Sequence, residues 1–229
     1  MTTQRKCNEC KGSGKTGLLF KSTCRKCGGK GYVILLSSPD SSSGLSDINK
    51  TFQQIEQLIL SKQITQLEKA NKLLDMLCIP EYTKLQQLCF AQYTNRVNNG
   101  ENLNIGDSLE ILDSGFRMAA RCYNEIGKAY CQYALDAQNN SSGYIQKGIP
   151  ASQMALRVIA SSPGDADGRS NHIKASAHFG LGVFSAMQEQ TQIAKKHFQE
   201  CINFPLLTNH QVEYAGVAQK NAKQMLQKL

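Results

Sequence analysis

The sequence predicts a mainly α-helical chain preceded by a small cysteine-rich β-hairpin module. Three observations carry that expectation. Four cysteines fall in a paired spacing within the first 27 residues. From Leu45 onward apolar residues recur at steps of three and four, the period of a helix with one buried face. Beyond that point no stretch alternates apolar and polar residues for long enough to make a strand.

Composition and charge divide the chain. Residues 1–36 are rich in Gly, Cys and Lys and end in Tyr32-Val33-Ile34-Leu35-Leu36. They carry eight basic groups (Arg5, Lys6, Lys11, Lys15, Lys21, Arg25, Lys26 and Lys30) against the single acid Glu9, a balance of +7. Residues 37–229 carry 18 basic and 17 acidic groups, so almost all of the chain's +8 belongs to the first module. Residues 37–44, SSPDSSSG, have no apolar anchor and read as a flexible linker. Residues 45–229 form the all-α domain.

With 41% hydrophobic and 19% charged residues the chain has enough apolar content for a core, which excludes global disorder. No run approaches the roughly 18 apolar residues that span a bilayer. The polar start MTTQRKCNECKG lacks the apolar stretch of a secretory signal. A cytoplasmic location is expected, and there nine cysteines read as thiols or metal ligands rather than disulfides.

The cysteines stand in two copies of one pattern. Cys7-Asn-Glu-Cys10-Lys-Gly12-Ser-Gly14 is C-x-x-C-x-G-x-G, and Cys24-Arg-Lys-Cys27-Gly-Gly29-Lys-Gly31 repeats it 17 residues on. Two thiolates three residues apart hold one metal from a tight turn, and two such turns complete a tetrahedral S4 site with Zn–S of about 2.3 Å. The glycines give the turn its backbone freedom and aim N–H groups at the sulfurs. Four thiolates on Zn²⁺ sum to a charge of about −2, which the neighbouring Lys and Arg offset. One structural zinc on Cys7, Cys10, Cys24 and Cys27 is therefore expected, with every coordination position filled by protein. Leu18-Leu19-Phe20 and Tyr32-Val33-Ile34 read as strands of the hairpin. So short a module folds only if the metal supplies much of its stability, on the order of 10–16 kcal/mol in small fingers. Free buried thiols, a pair of redox C-x-x-C motifs or an Fe–S centre are the other readings of these residues.

These residues resemble the cysteine-rich zinc finger of DnaJ-type co-chaperones, whose repeat is C-x-x-C-x-G-x-G, usually in four copies binding two zincs. Two copies over about residues 5–33 match one zinc. The resemblance implies that Cys7, Cys10, Cys24 and Cys27 are the ligands and that the module contacts unfolded or extended polypeptide. The chain departs from the family in having no His-Pro-Asp tripeptide and no β-rich substrate domain, so nothing resembles the part that stimulates a partner ATPase. It looks closer to the two-copy versions found in small chaperone-like and assembly proteins. Gly12-Ser-Gly14-Lys15-Thr16 imitates a phosphate-binding loop, but Glu9 stands where that loop needs its first glycine.

The body reads as a series of helices. Ser46 is a candidate cap for the first, which carries Phe52, Ile55, Ile59, Leu67, Ala70, Leu74 and Leu77. Pro80 opens the next, and Asn-Asn-Gly-Glu-Asn at 98–102 breaks it. Helix is expected over 105–138, over 150–161 with Pro150 in its first turn, and over 170–188, 191–203 and 209–228. Thr208 caps the last, with Gln211 three residues on.

Within 175–205, Leu181-Gly182, Ala194, Phe198, Cys201 and Pro205 have a spacing that resembles a tetratricopeptide repeat. Tyr123-Asn-Glu-Ile126-Gly127-Lys-Ala-Tyr130 begins a poorer copy, its second helix delayed by the insertion at 139–149. The resemblance implies stacked helical pairs with a partner-binding concave surface, for which Tyr123, Tyr130, Tyr133 and Tyr144 are candidates, against a core role for the same aromatics. A generic helical bundle is the alternative.

No catalytic set emerges. His172, His178, His197 and His210 are scattered, Cys78, Cys89, Cys122, Cys131 and Cys201 sit at apolar helical positions, and Asp165 and Asp167 supply too few oxygens for calcium. The expected function is a non-enzymatic protein-interaction adaptor, or a chaperone-like subunit of a larger assembly, that binds protein partners or extended polypeptide. One alternative is nucleic-acid binding by the basic zinc module, which zinc lowers to a charge of about +5 and which offers only Phe20 and Tyr32 for stacking. The other is a thiol-disulfide redox protein, which zinc binding would suppress.

Overall fold

The computed structural model describes residues 2–6, 15–16, 22–23, 32–36, 41–78, 83–101, 103, 105–137, 141–162, 165 and 168–229. They fall into two units, Met1–Ser46 and Asp47–Leu229.

In the first unit β1 (Thr2–Lys6) pairs antiparallel with β4 (Tyr32–Leu36), with Thr2 opposite Leu36 and Lys6 opposite Tyr32. The short β2 (Lys15–Thr16) pairs antiparallel with β3 (Ser22–Thr23), so the second ladder is nested in sequence inside the first. The strand expected at 32–34 lies within β4, which pairs with β1. Thr-Thr-Gln-Arg-Lys is polar, and a hydropathy pattern does not flag it as a strand. Residues 18–20 and the ligand candidates Cys7, Cys10, Cys24 and Cys27 lie outside the described residues.

From Ser41 onward the described chain is helical: α1 (Ser41–Leu60), α2 (Ile64–Cys78), α3 (Thr83–Asn98), α4 (Ile105–Asp136), α5 (Ser142–Ala160), α6 (Asn171–Met187), α7 (Thr191–Asn203) and α8 (Asn209–Lys228). The mainly-α body is as expected, and no described helix is long and apolar enough to cross a membrane. Three details differ from the sequence reading. α1 begins at Ser41, so residues 41–44 of the expected linker are helical and Ser46 lies inside the helix. Serines are favoured where helices start, and Leu45, Ile48 and Phe52 already keep helical spacing. The apolar pattern of 51–78 is two helices, not one. The Ser61 hydroxyl donates to the Leu58 carbonyl at 2.7 Å and accepts from the Gln63 N–H at 3.3 Å, while Lys62 turns the chain at φ +55°. Apolar spacing continues on both sides of that turn and hides it.

The third difference is α5, which starts at Ser142, eight residues before Pro150. Inside a helix proline removes the bond to the carbonyl four residues back. Here that carbonyl belongs to Gln146, an exposed residue, so water can take the place of the missing donor. The connection between α4 and α5 is consequently short.

Each helix from α4 to α8 packs on the next, and α4 also meets α6 as α6 meets α8. α2 and α3 cover α4. The core is built from Phe116, Tyr123, Ile126, Ile159, Ile173, Phe184 and Phe198, each at most 2% exposed. Small residues set the helix spacing. A methyl group on Gly182 of α6 would sit 2.6 Å from the Phe198 ring of α7, one on Gly127 of α4 would sit 2.4 Å from Ser152 Oγ of α5, and one on Gly148 of α5 would sit 2.2 Å from the Phe184 ring of α6. Ala194 and Cys201, flanking Phe198 on α7, are fully buried.

Gly182→Ala should therefore destabilise the body. Overpacking costs about 1–3 kcal/mol, against a helix-propensity gain of at most about 1 kcal/mol. Gly143→Ala, in the open first turn of α5 with nothing within 4 Å, should leave stability unchanged or raise it. Urea midpoints of the two variants check the order, and equal midpoints would remove the packing argument.

Candidate functional site

Two helices of the body start side by side. Gln211, in the first turn of α8 and 4% exposed, donates from Nε2 to the carbonyls of Gly168 and Arg169, both at 3.1 Å, and accepts the Leu207 N–H at 2.6 Å. Asn171, the first residue of α6, donates to the Pro205 carbonyl at 2.9 Å. The bend into α6 needs Gly168 at φ +77°, where a side chain would also strike Asn171. These bonds tie the N-terminus of α6 to that of α8. Thr208 accepts the Gln211 N–H at 3.3 Å, the cap its position predicts. Ser170, at the cap position of α6, makes no such bond, and neither helix has an acid in its first turn. The nearest described carboxylate to the start of α6 is that of Asp165, in the preceding loop, which pairs with Lys174 of the first turn.

Beside them α4 presents Arg117 and Arg121. Together with Arg169, His172 and His210 they line a cleft of about 500 Å³, where Glu56 is the acid among the described lining residues. Arg117 Nε forms an ion pair with the buried Asp113 carboxylate at 3.0 Å, and the Arg121 guanidinium lies 5.8 Å from the centre of the Tyr214 ring. His172 is 8% exposed and meets Tyr214 edge-on at 5.1 Å and His210 at 5.5 Å. Burial, then the positive field of His210, Arg121 and Arg117, pushes its pKa down to about 4, so the ring is neutral at pH 7. The Arg169 carbonyl is near enough to oppose that shift, but no hydrogen bond of normal geometry reaches the buried Nδ1.

A polar network steadies this end of the body. Asn124 of α4, 1% exposed, donates to Ser176 Oγ of α6 at 3.0 Å and to the Tyr214 hydroxyl of α8 at 2.9 Å. Tyr214 in turn donates to the Glu125 carboxylate. The network fixes the register of the α4–α6–α8 row.

The structure pairs histidines that the sequence leaves scattered. His172 meets His210, and His178 of α6 lies with Nδ1 3.0 Å from Nδ1 of His197 on α7. The second pair was legible in principle, since 178 and 197 are one turn and one residue from Gly182 and Phe198. Burial first, then His197 and Lys196, lowers the His178 pKa to about 4, and the His197 pKa is lowered for similar reasons. Of the candidate surface tyrosines, Tyr123 and Tyr130 are core residues, and Tyr123 donates to Asp75 at 2.6 Å. Tyr133 stacks on Tyr144 with ring centres 5.5 Å apart and donates to the Lys62 carbonyl. Cys78, Cys89, Cys122, Cys131 and Cys201 are all buried, as apolar helical positions predict, and desolvation pushes the thiol of Cys201 to about 12 and that of Cys131 to about 11. Among the described residues no group of three or more His, Cys, Asp or Glu converges on a metal position.

No protein-family model, curated protein or solved structure matches the chain.

Two outcomes follow from the shifted groups. Between pH 6.5 and about 4 the unfolded chain takes up protons that folded His172 and His178 refuse. Their contribution to stability is complete above pH 6.5 and is lost as pH falls through that window, so the urea midpoint should drop from pH 7 to 4 and His178→Gln should flatten the drop. In the native chain at pH 8 the five body cysteines should resist alkylation and all should react once urea unfolds it, as peptide mapping reads. Fast native labelling of Cys201 would contradict its burial.

Proposed function

We propose that the chain is a non-enzymatic protein-interaction adaptor, chaperone-like or a subunit of a larger assembly, in which a zinc-held N-terminal module and a helical-repeat body each engage polypeptide. The observation that carries the reading is the equivalence of two close approaches. Ile126-Gly127 on α4 meets α5 as Leu181-Gly182 on α6 meets α7. Two helical pairs locked in the same way, with α4, α6 and α8 in one row, support an array of two repeats closed by α8. Such arrays offer a concave surface to a partner, which agrees with the resemblance to tetratricopeptide repeats.

For the module the support comes from the strands around it. Residues 7–14 fill the interval between β1 and β2, and residues 24–31 fill the interval between β3 and β4. Because β1 pairs with β4 and β2 with β3, both C-x-x-C-x-G-x-G motifs are anchored at their ends to the same two ladders. That tethering suits Cys7, Cys10, Cys24 and Cys27 as the four ligands of one structural zinc, in keeping with the DnaJ-type resemblance. The metal would supply the cohesion that two short ladders lack. A cytoplasmic setting, where thiols stay reduced, fits this role.

Native mass spectrometry of the full chain should find one zinc, lost in Cys7→Ser with the thermal unfolding of the helical body unchanged. The zinc-loaded chain should bind a labelled, permanently unfolded polypeptide, and Cys7→Ser should weaken that binding several-fold. Absence of polypeptide binding, with salt-sensitive retardation of labelled RNA instead, would overturn the adaptor reading in favour of a basic nucleic-acid module.

A further inference from the structure

We propose that His178 and His197 form a two-nitrogen site for a divalent transition-metal ion of tetragonal preference, nickel(II) or copper(II), bound through both Nδ1 atoms. The site lies on the α6–α7 pair. It goes beyond the adaptor reading and does not depend on it.

The separation of the two nitrogens decides the geometry. His178 Nδ1 and His197 Nδ1 are 3.0 Å apart. Imidazole nitrogens stand about 2.0–2.1 Å from a zinc-sized ion, so a pair this close subtends about 91–97° at the metal. A tetrahedral site would need about 3.3–3.4 Å between the same atoms. Neighbouring corners of a square-planar or tetragonal shell meet at about 90°, the arrangement that nickel(II) and copper(II) take with nitrogen and oxygen ligands.

The same separation serves a hydrogen bond while one ring carries its proton on Nδ1. With both protons on Nε2, two lone pairs face each other, and an ion held by both turns that repulsion into two bonds. One ring exchanges its Nδ1–H for Nε2–H through solvent, so no proton is released. Burial keeps both rings uncharged at pH 7, the state in which imidazole binds a metal.

Both rings are held before an ion arrives. His178 stands one turn before Gly182, and His197 is next to Phe198. A methyl group on Gly182 would sit 2.6 Å from the Phe198 ring, so the two histidines flank the closest contact of their helices. His178 also stacks on Phe204, with ring centres 5.7 Å apart and planes 27° from parallel. Gln219 Nε2 in turn donates to the Phe204 carbonyl at 2.7 Å and to the Cys201 carbonyl at 2.9 Å, fixing that end of α7. Ligands positioned in advance lose less freedom on binding.

The surroundings admit an ion with water in its other positions. Both rings are half-buried, so solvent reaches them. Among the described residues no third His, Cys, Asp or Glu converges there. Glu200, one turn beyond His197, favours added positive charge. Lys196 opposes it, but is exposed and screened by salt. Lys174 of α6, 5.6 Å from the centre of the Phe204 ring, is paired with Asp165.

The test uses the full chain at pH 7 with one equivalent of zinc present, titrated with nickel(II) chloride and followed by ¹⁵N NMR and calorimetry. Nickel is the probe because copper(II) also oxidises thiols. One ion should bind, and paramagnetic broadening should centre on the amides of His178, Phe179, His197 and Phe198. His178→Gln and His197→Gln should each weaken binding about tenfold, equivalent to about 1.4 kcal/mol. Placing the two changes on different helices, with urea midpoints measured for both, separates loss of a ligand from loss of the fold. His210→Gln and Cys7→Ser should leave nickel binding at the pair unchanged, and zinc(II) added beyond the first equivalent should bind there more weakly than nickel(II). The proposal is overturned if nickel does not saturate the pair by about 1 mM, ten times a dissociation constant of about 0.1 mM. It is equally overturned if both glutamine variants bind as the parent does, if Cys7→Ser abolishes the broadening at the pair, or if zinc binds there as tightly as nickel.

Discussion

The helical body depends on how closely its helices approach. Gly127, Gly148 and Gly182 let backbone come against Ser152, Phe184 and Phe198, and no other residue type fits those positions without moving a neighbour. Interiors are packed near crystal density, so a shift at one contact passes to the next. The three contacts link α4, α5, α6 and α7 in sequence. They therefore set the spacing of the whole row, including where α4 stands relative to the starts of α6 and α8.

That spacing decides the electrostatics. Arg117 and Arg121 reach the same cleft as the N-termini of α6 and α8 because α4 and α6 are held in contact. Asn124 completes the arrangement from below with two bonds from one amide. A buried amide with both protons used tolerates little sliding of α6 or α8 along α4, since either motion would strand a polar group. Apolar contacts bring the helices together, and the polar network selects one register among several that packing alone would accept.

Much of the fold was legible in the sequence. The last three helices agree with their expected bounds within a residue, because Gly182, Ala194, Phe198 and Thr208 each signal a specific local role. Where periodicity is ambiguous the reading failed. Apolar spacing ran through the turn at Lys62, and Pro150 suggested a helix start although its missing donor is harmless at an exposed position. The strand at Thr2–Lys6 escaped because its residues are polar. Of the candidate sites, the paired cysteines were evident from spacing alone and lie outside the described residues. The basic cleft was not evident, since its residues come from α4, two helix starts and the loops before them. Arginines at 117, 121 and 169 reveal nothing in common until tertiary packing places them together.

The nested ladders of the first unit have a topological consequence. Thr2 stands opposite Leu36, so the two ends of the segment 2–36 lie side by side. A segment with that property behaves as a cassette: it can be gained, lost or exchanged between proteins without rerouting the polypeptide that follows. The segment also holds a balance of +7 of its own, within residues 1–36, so its gain or loss would change the net charge of the chain far more than its length.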